Sequence, residues 1–291
     1  MIYRFSSLTH MYSSASLFEN ICLLYHISGI FFLLISFYFK TINKWSLHGK
    51  NLFITIEEDE RGHTYKFYTL KKKIDDIIIS KAYFSHFYIV GLIVNSFLLF
   101  QDFIEYSKNE RNGFYYISLT NVTLQIHLIR RLLEQLFVVR TTSKSFMHII
   151  SYFLGISFYV VTPFSLRHND RIKYSLLTLF SLTLFVCGNL MQCDSHVRLA
   201  RLRPQGGKKS DILYKIPYGG LFYFISCPHY FSEILIYFSF LTLNLNFMSS
   251  LNFTMVFLIL IKNGIQTHKW YLKTLPSAYP NKNIYLKVKY I

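Results

Sequence analysis

Asn20-Ile-Cys-Leu-Leu-Tyr-His-Ile-Ser-Gly-Ile-Phe-Phe-Leu-Leu-Ile-Ser-Phe-Tyr-Phe39 runs for twenty residues without a Lys, Arg, Asp or Glu. A helix crossing the hydrocarbon core of a bilayer needs roughly 20 mostly apolar residues, and this stretch supplies them. Comparable runs fall near 85–101, 114–138, 146–165, 173–193, 226–244 and 248–267, so about seven transmembrane helices are expected. The runs are continuously apolar rather than alternating, which excludes a membrane β-barrel. The first run is too long for a removed signal peptide, lacks a small-residue cleavage site, and reads as a retained anchor. The expected class is an all-α polytopic membrane protein.

Composition agrees with that class. Of 291 residues, 52% are apolar, 19% aromatic and 16% charged, against about 25% charged in an average soluble chain. So many Phe, Leu, Ile and Tyr residues exclude a disordered chain. Cys22, Cys187, Cys193 and Cys227 lie in or beside apolar runs without metal-type spacing, so neither a disulfide framework nor a metal site is expected. GxGxxG and Walker-A patterns are absent, which excludes nucleotide binding by a Rossmann or P-loop mechanism. No internal repeat is detectable, which weighs against many transporter folds.

The remaining charge is lopsided: 31 Lys and Arg oppose 15 Asp and Glu, a formal +16. Segments 40–84, 139–145, 194–225 and the tail counted from Lys262 hold 23 of the basic residues, while the alternate set holds 6. By the positive-inside rule the N-terminus is outside or lumenal and the C-terminus cytosolic. Topology and attraction to anionic headgroups account for most of the excess. Base-stacking and groove-reading elements are missing, so no nucleic-acid partner is expected. The loop 198–215 nevertheless gathers Arg198, Arg201, Arg203, Lys208, Lys209 and Lys215, a density suited to a phosphate-rich ligand as well as to lipid. Segment 40–83 carries Glu57-Glu58-Asp59-Glu60 and Lys71-Lys72-Lys73; a short hairpin is expected there, then an interfacial helix near 71–80 with Ile77-Ile78-Ile79 on the membrane surface.

An ionisable group inside a span is expensive and by default a functional hypothesis. Three clusters qualify. In His127-Leu-Ile-Arg130-Arg131-Leu-Leu-Glu134 the pairs 127/131 and 130/134 each share a helix face; a structural ion pair with snorkelling arginines explains them as well as a ligand site does. His229, Glu233 and Tyr237 form a stripe of period four, as on a helix lining a cavity. Asn189, Gln192 and His196 share a third face that leads into the basic loop, where interhelical glue is the plainer alternative. Tyr83-Phe-Ser-His86-Phe-Tyr88 adds an imidazole and two phenols at the start of the second span, where an aromatic belt would also place tyrosines. Sequons Asn121-Val-Thr123 and Asn252-Phe-Thr254 lie at outer span ends, too close to the membrane for modification.

These residues, in this order, resemble the steroid 5-alpha-reductase family, and within it the polyprenol reductase branch. The likeness runs from Gln192 and His196 through Leu202-Arg203 and Tyr214-Lys215-Ile216-Pro217-Tyr218-Gly219-Gly220-Leu221-Phe222. It continues through Ser226-Cys-Pro228-His-Tyr230-Phe-Ser-Glu233 to His268-Lys-Trp270-Tyr271 and Tyr279-Pro280. The stretches 83–88 and 127–134 favour the polyprenol branch. The resemblance covers about 80–280 and implies a multi-pass endoplasmic-reticulum enzyme. It divides the chain into an anchor and loop at 1–82 and a reductase core at 83–291, with cofactor binding in 173–291.

The resemblance further implies NADPH as cofactor and a long-chain polyprenoid in the bilayer as substrate, with no obligate protein partner. Asn189 or Gln192, His196, Arg203, Tyr214, Lys215, His229, Glu233, His268 and Tyr271 would line the nucleotide cavity. Lys215 stands where the family commonly has Arg, and His229 where it has Asn. Hydride addition to a double bond needs an electron sink. An allylic alcohol offers none, so the conjugated aldehyde, polyprenal, is the expected reactant and dolichal the product. His127 or Tyr88, with His86 as alternative, would polarise the carbonyl oxygen, Arg131 keeping the field positive while Glu134 holds Arg130. Steroid 5-alpha-reduction and trans-2-enoyl-CoA reduction are alternatives within the family. An isoprenylcysteine-type methyltransferase and a non-enzymatic channel or transporter are alternatives outside it.

Overall fold

The computed structural model describes residues 2–39, 77–109, 117–141, 145–167, 175–203 and 215–274. Seven α-helices occur among them: α1 (Ile2–Tyr38), α2 (Phe84–Asn109), α3 (Leu119–Phe137), α4 (Ile149–Leu166), α5 (Leu176–Arg201), α6 (Pro228–Leu243) and α7 (Phe247–Thr274). Each falls on one of the seven apolar runs. Local chemistry sets their starts. Ser118, His148 and Ser175 accept from backbone N–H groups in the first turns of α3, α4 and α5, which satisfies donors that a helix N-terminus leaves orphaned. Pro228 occupies the first turn of α6, where its missing N–H costs nothing.

Five of the seven, α1, α2, α4, α5 and α7, are long and apolar enough to cross a membrane. The other two differ for physical reasons. Arg130, Arg131 and Glu134 break the apolar run of α3, and α6 is only 16 residues long. The expected interfacial helix near 71–80 is not what residues 77–80 form, and 71–76 lie outside the described residues. Ile78–Ser80 is instead a strand, β1, antiparallel to β2 (Phe146–His148), with Ile78 opposite His148 and Ser80 opposite Phe146. Three successive β-branched or small residues beside a free partner edge suit a strand better than a helix turn. The acidic and basic runs at 57–60 and 71–73 lie outside the described residues as well.

The helices bury narrow faces and leave the rest apolar and exposed, as a bilayer-facing surface requires. On α1, Cys22, His26, Leu33 and Ser36 are buried at helical spacing, while Leu24, Phe31 and Leu34 are exposed. The centre is packed by Tyr88, Leu124, Leu128, Phe185, Ile236 and Phe240, drawn from α2, α3, α5 and α6. Polar side chains pin the helices where the hydrophobic effect has little to choose between protein and lipid. Asn121 Nδ2 donates to Asn95 Oδ1 at 2.7 Å and to the Pro163 carbonyl at 2.9 Å, joining α2, α3 and α4. Asp102, fully buried, receives Arg167 through Nε at 2.9 Å and Nη2 at 2.6 Å, and the Ser118 backbone N–H at 3.3 Å. Asn252 Nδ2 reaches Thr162 Oγ1 at 3.0 Å and His26 Nε2 at 3.3 Å. Both sequon asparagines are thus fully buried, with their amides engaged between helices.

Helices α5 and α6 approach closely at Gly188. A Cβ there would lie 2.8 Å from Ile236 Cγ1 and 3.1 Å from the Ser232 carbonyl oxygen. Ile236 is fully buried and the Ser232 oxygen is backbone, so neither can yield cheaply. Gly188→Val is therefore expected to cost about 2 kcal/mol by overpacking, read as a lowered melting temperature of the detergent-solubilised protein. An unchanged Tm would contradict this account of the α5–α6 contact.

Candidate active site

The three polar stripes converge. Helix α3 brings His127, Arg130, Arg131 and Glu134; α5 brings Asn189, Gln192 and His196; α6 brings His229, Glu233 and Tyr237; α2 adds Tyr88. The spacings 127/130/131/134, 189/192/196 and 229/233/237 keep each set on one face of its helix, and those faces meet.

Glu134 is the node on one side. Its Oε2 accepts from Arg131 Nη1 at 2.7 Å and lies 2.7 Å from His196 Nδ1, while Oε1 pairs with Arg130 Nη1. His196 Nδ1 is also 2.8 Å from Arg131 Nη1, so its tautomer decides whether it donates to the carboxylate or accepts from the guanidinium. Arg130 donates from Nε to Asn189 Oδ1 at 2.7 Å and from Nη2 to Gln192 Oε1. Gln192 Nε2 passes on to Glu233 Oε2, and Glu233 Oε1 lies 3.4 Å from His127 Nε2. His127 Nδ1 is 3.2 Å from Asn189 Oδ1, closing the circuit. On the cavity side, Arg131 Nη2 donates to the Tyr88 hydroxyl at 2.5 Å, and the guanidinium lies 5.0 Å from that ring's centroid.

Two guanidinium charges face two carboxylate charges across this circuit, and nearly every lone pair and N–H is engaged. A buried charge without a partner costs several kcal/mol, so a bundle tolerates this set only as a closed unit. Glu134 is 4% exposed and His127 fully buried. The arginines therefore turn inward onto carboxylates rather than snorkelling away from the span.

A cavity of about 640 Å³ opens beside the circuit. One pole is polar, with Tyr88, Arg131, Gln192, His196, His229 and Glu233 on its wall. The rest is mostly apolar and aromatic, with Phe32 and Leu33 of α1, Phe87 of α2, Phe158 of α4, and Met255 and Ile259 of α7, but Ser28, Ser151, Lys262 and Asn263 also line it. Met147 of β2 also lines it, so the small sheet contributes to its wall.

Of His127, Tyr88 and His86, only Tyr88 lines this cavity. His127 sits behind the polar pole, and His86 is tied to Tyr152 Oη at 2.9 Å between α2 and α4. Asn189, Arg130 and Glu134 support the wall without forming it. Arg203 donates to the Arg140 carbonyl, and Arg140 returns a bond to the Arg203 carbonyl at 2.9 Å. His268 Nδ1 pairs with Ser226 Oγ at 2.9 Å, holding α7 against the start of α6, and Tyr271 is buried edge-on to Trp270. Lys215 is exposed, and Tyr214 lies outside the described residues. None of Arg203, Lys215, His268 or Tyr271 lines the cavity. The Gly219-Gly220 pair has φ of 90° and 55°, and a Cβ at 220 would sit 2.8 Å from Asp194 Oδ2, where Arg198 is paired at 2.7 Å. Glycine is required at both positions by backbone and space.

Tyr159 and Lys262 are among the lining groups that the sequence reading missed. Tyr159 of α4 lies edge-on to Tyr88 at 5.5 Å, but nothing marks it in a helix rich in aromatics. Lys262, counted above with the cytosolic tail, stands inside α7 at 4% exposure and donates to Ser36 Oγ at 2.5 Å. Lys262 is thus a buried helix residue rather than a tail charge, and Lys269 and Lys273 of the same count also lie within α7.

The family model described as 3-oxo-5-alpha-steroid 4-dehydrogenase matches residues 134–286, more than half of the chain. The chain belongs to this family. It is similar to the polyprenal reductase of Danio rerio, 32% identical over 192 residues that cover 55% of this chain and 62% of that protein. It is also similar to the polyprenal reductase of Saccharomyces cerevisiae, 30% identical over 186 residues, 60% of this chain and 64% of the relative. Polyprenal reductase 1 of Arabidopsis thaliana is 25% identical over 247 residues, 67% of this chain and 76% of the relative. The chain thus spans less than two thirds of the Danio and Saccharomyces relatives.

Removing the shared carboxylate should expose its importance. Glu134→Ala leaves Arg130 and Arg131 facing one another and is expected to lower stability by roughly 3 kcal/mol or more. Glu134→Gln, which keeps an acceptor, should lose less. Thermal unfolding of both variants in detergent checks the order, and equal losses would contradict the ion-pair account.

Proposed function

We propose that the chain is an NADPH-dependent oxidoreductase acting on a CH–CH group: it saturates the double bond conjugated to the aldehyde of a long-chain polyprenal, giving dolichal. The product would lead to dolichol and support dolichol-linked protein N-glycosylation. The observation that carries this reading is the two-ended cavity. Its polar pole presents a phenol backed by a guanidinium, and its remaining wall suits a hydrocarbon chain. The similarity to proteins named polyprenal reductase supports the same substrate class.

The donor set at the polar pole fits a nicotinamide. Its carboxamide needs one acceptor and one donor, and Glu233, Gln192 and His229 stand together on the wall. When bound, NADPH supplies the hydride that adds to the β carbon of the enal. The chain's own groups handle the charge this creates. Tyr88 Oη, polarised by the Arg131 N–H at 2.5 Å, is the donor for the carbonyl oxygen as negative charge gathers there. Glu134 and His196 hold Arg131 in place from behind. The mostly apolar walls from α1, α4 and α7 align the chain. Arg203, Tyr214, Lys215, His268 and Tyr271 belong to the cofactor region 173–291 in this reading. His127 acts by orienting Glu233, and His86 by tying α2 to α4.

The same reading makes all seven helices membrane-spanning, with a lumenal N-terminus, a cytosolic C-terminus and residence in the endoplasmic reticulum. Residues 1–82 then form the anchor and cytosolic loop, and 83–291 the reductase core. Helix α3 crosses because its polar face looks inward and its other face, at Ile126, Ile129 and Leu133, is exposed and apolar; helix α6, which has no exposed residue, crosses packed among its neighbours.

Membranes holding this protein as their only reductase test the proposal. They are given NADPH and, separately, polyprenal, polyprenol, a 3-oxo-4-ene steroid or a trans-2-enoyl-CoA, and saturated product is followed by mass. Polyprenal alone is expected to be saturated. Reduction of pure polyprenol with no aldehyde present would sink the electron-sink argument, and turnover of only the steroid or the thioester would overturn the substrate. Tyr88→Phe should lower kcat on polyprenal by roughly 10²- to 10³-fold while NADPH still raises the Tm. Unchanged kcat would remove Tyr88 from the mechanism.

A further inference from the structure

Helices α2 and α4 interlock through two glycines and two rings. Phe87 of α2 seats its ring on Gly155 of α4, so closely that a Cβ at 155 would meet Phe87 Cζ at 2.7 Å and both Cε atoms within 3.0 Å. Four residues further along each helix the arrangement is returned. Tyr159 of α4 seats its ring on Gly91 of α2, where a Cβ would lie 3.0 Å from Tyr159 Cδ1. The two rings stack on each other at 6.0 Å with 17° between planes. Tyr152 closes on Phe87 at 5.5 Å from the other side, and Phe158 meets Tyr159 edge-on at 5.6 Å. Phe87 is 7% exposed. Neither ring can retreat toward the opposing helix, because the notch that accepts it is already filled.

Phe87, Gly155 and Tyr159 all line the cavity, and they flank Tyr88. Phe87 precedes Tyr88 in the chain, and Tyr159 touches both rings, at 6.0 Å and 5.5 Å. Carbon atoms attached to a carbonyl that rests on the Tyr88 hydroxyl would lie beside this bracket of two rings. We propose that the Phe87–Tyr159 interlock, seated on Gly155 and Gly91, is a width filter that determines substrate class. It admits a ribbon-like isoprenoid enal and rejects a fused-ring enone of the same electronic type. The inference rests on the reductase reading above and specifies which acceptor the polar pole can reach. A steroid places a second ring and an axial methyl beside its enone, where an isoprenoid has one methyl branch on a flat chain. A rigid aromatic wall discriminates between those widths, whereas a flexible one would repack.

The test compares geranial, a ten-carbon isoprenoid enal, with progesterone, a 3-oxo-4-ene steroid, using full-length protein in detergent with NADPH. For the unaltered protein, geranial is expected to be reduced and progesterone not. Phe87→Ala opens the bracket and should shift the ratio of kcat/KM toward progesterone by about tenfold or more, as removal of a side chain from a discriminating pocket does. Phe87→Leu, which preserves more packing, decides the matter if Phe87→Ala loses the NADPH-dependent rise in Tm. Gly155→Ala pushes the ring into the cavity and should lower kcat/KM for geranial by about tenfold with that thermal shift retained. Unaltered selectivity in a folded, geranial-reducing Phe87 variant would overturn the filter while leaving the reductase reading intact. Failure of the unaltered protein to reduce geranial or polyprenal would overturn the reductase reading itself, and the filter with it.

Discussion

A carboxylate shared by two arginines inside an apolar bundle is the constraint from which the rest of the structure follows. Glu134 can neutralise Arg130 and Arg131 only from the next turn of α3, and the second balancing charge must come from another helix, Glu233 of α6. Because isolated charges are intolerable at that depth, α3, α5 and α6 are held in one relative position, with Gln192 and Asn189 bridging the guanidinium to its neighbours. Gly188 then allows α5 and α6 to come close enough for the bridge to close. In the proposed reading the reactive surface is the outer edge of this unit, where Arg131 donates one N–H to Tyr88.

That arrangement separates two tasks. Behind the wall, Glu134 and Arg130 are held by one another and by Asn189, Gln192 and His196. In front, Tyr88 and aromatic residues of α2 and α4 line the cavity. A second set of polar locks, Asp102 with Arg167 and Asn95 with Asn121, does purely mechanical work elsewhere in α2, α3 and α4. The same residue types thus stand beside a cavity in one half and join helices away from it in the other.

Much of this was legible in the sequence because apolar length and polar periodicity are local properties. Each of the seven runs fell on a helix, although the first helix begins at Ile2 and those at 84–109, 176–201 and 247–274 run past the ends of their runs, and 127/130/131/134, 189/192/196 and 229/233/237 each emerged as one face. Which residues look into a shared space is not local. His127 and Tyr88 were indistinguishable as donors from spacing alone, and only the packing of α2 against α3 sends one to the wall and the other behind it. Tyr159 was invisible for the same reason, since an aromatic in an aromatic helix carries no signal until a glycine opposite it is known. The Ile77–Ile79 run was misread because its partner edge, Phe146–His148, lies almost seventy residues away. Lys262 counted as a loop charge because nothing near it in the chain announces Ser36 of α1.

The Lys262–Ser36 contact has a consequence for how the protein is made. Helix α1 leaves the ribosome well over two hundred residues before α7, yet α7 carries both a lysine and an asparagine whose partners, Ser36 and His26, are on α1. Until α7 arrives, those α1 groups have no counterpart from it, and a chain interrupted before α7 cannot form this seam. The cavity wall shared by α1 and α7 is completed only when the bundle closes on its first helix. Polar contacts between the two ends of the described fold therefore make the binding space a late product of assembly, and tie its integrity to insertion of the last helix.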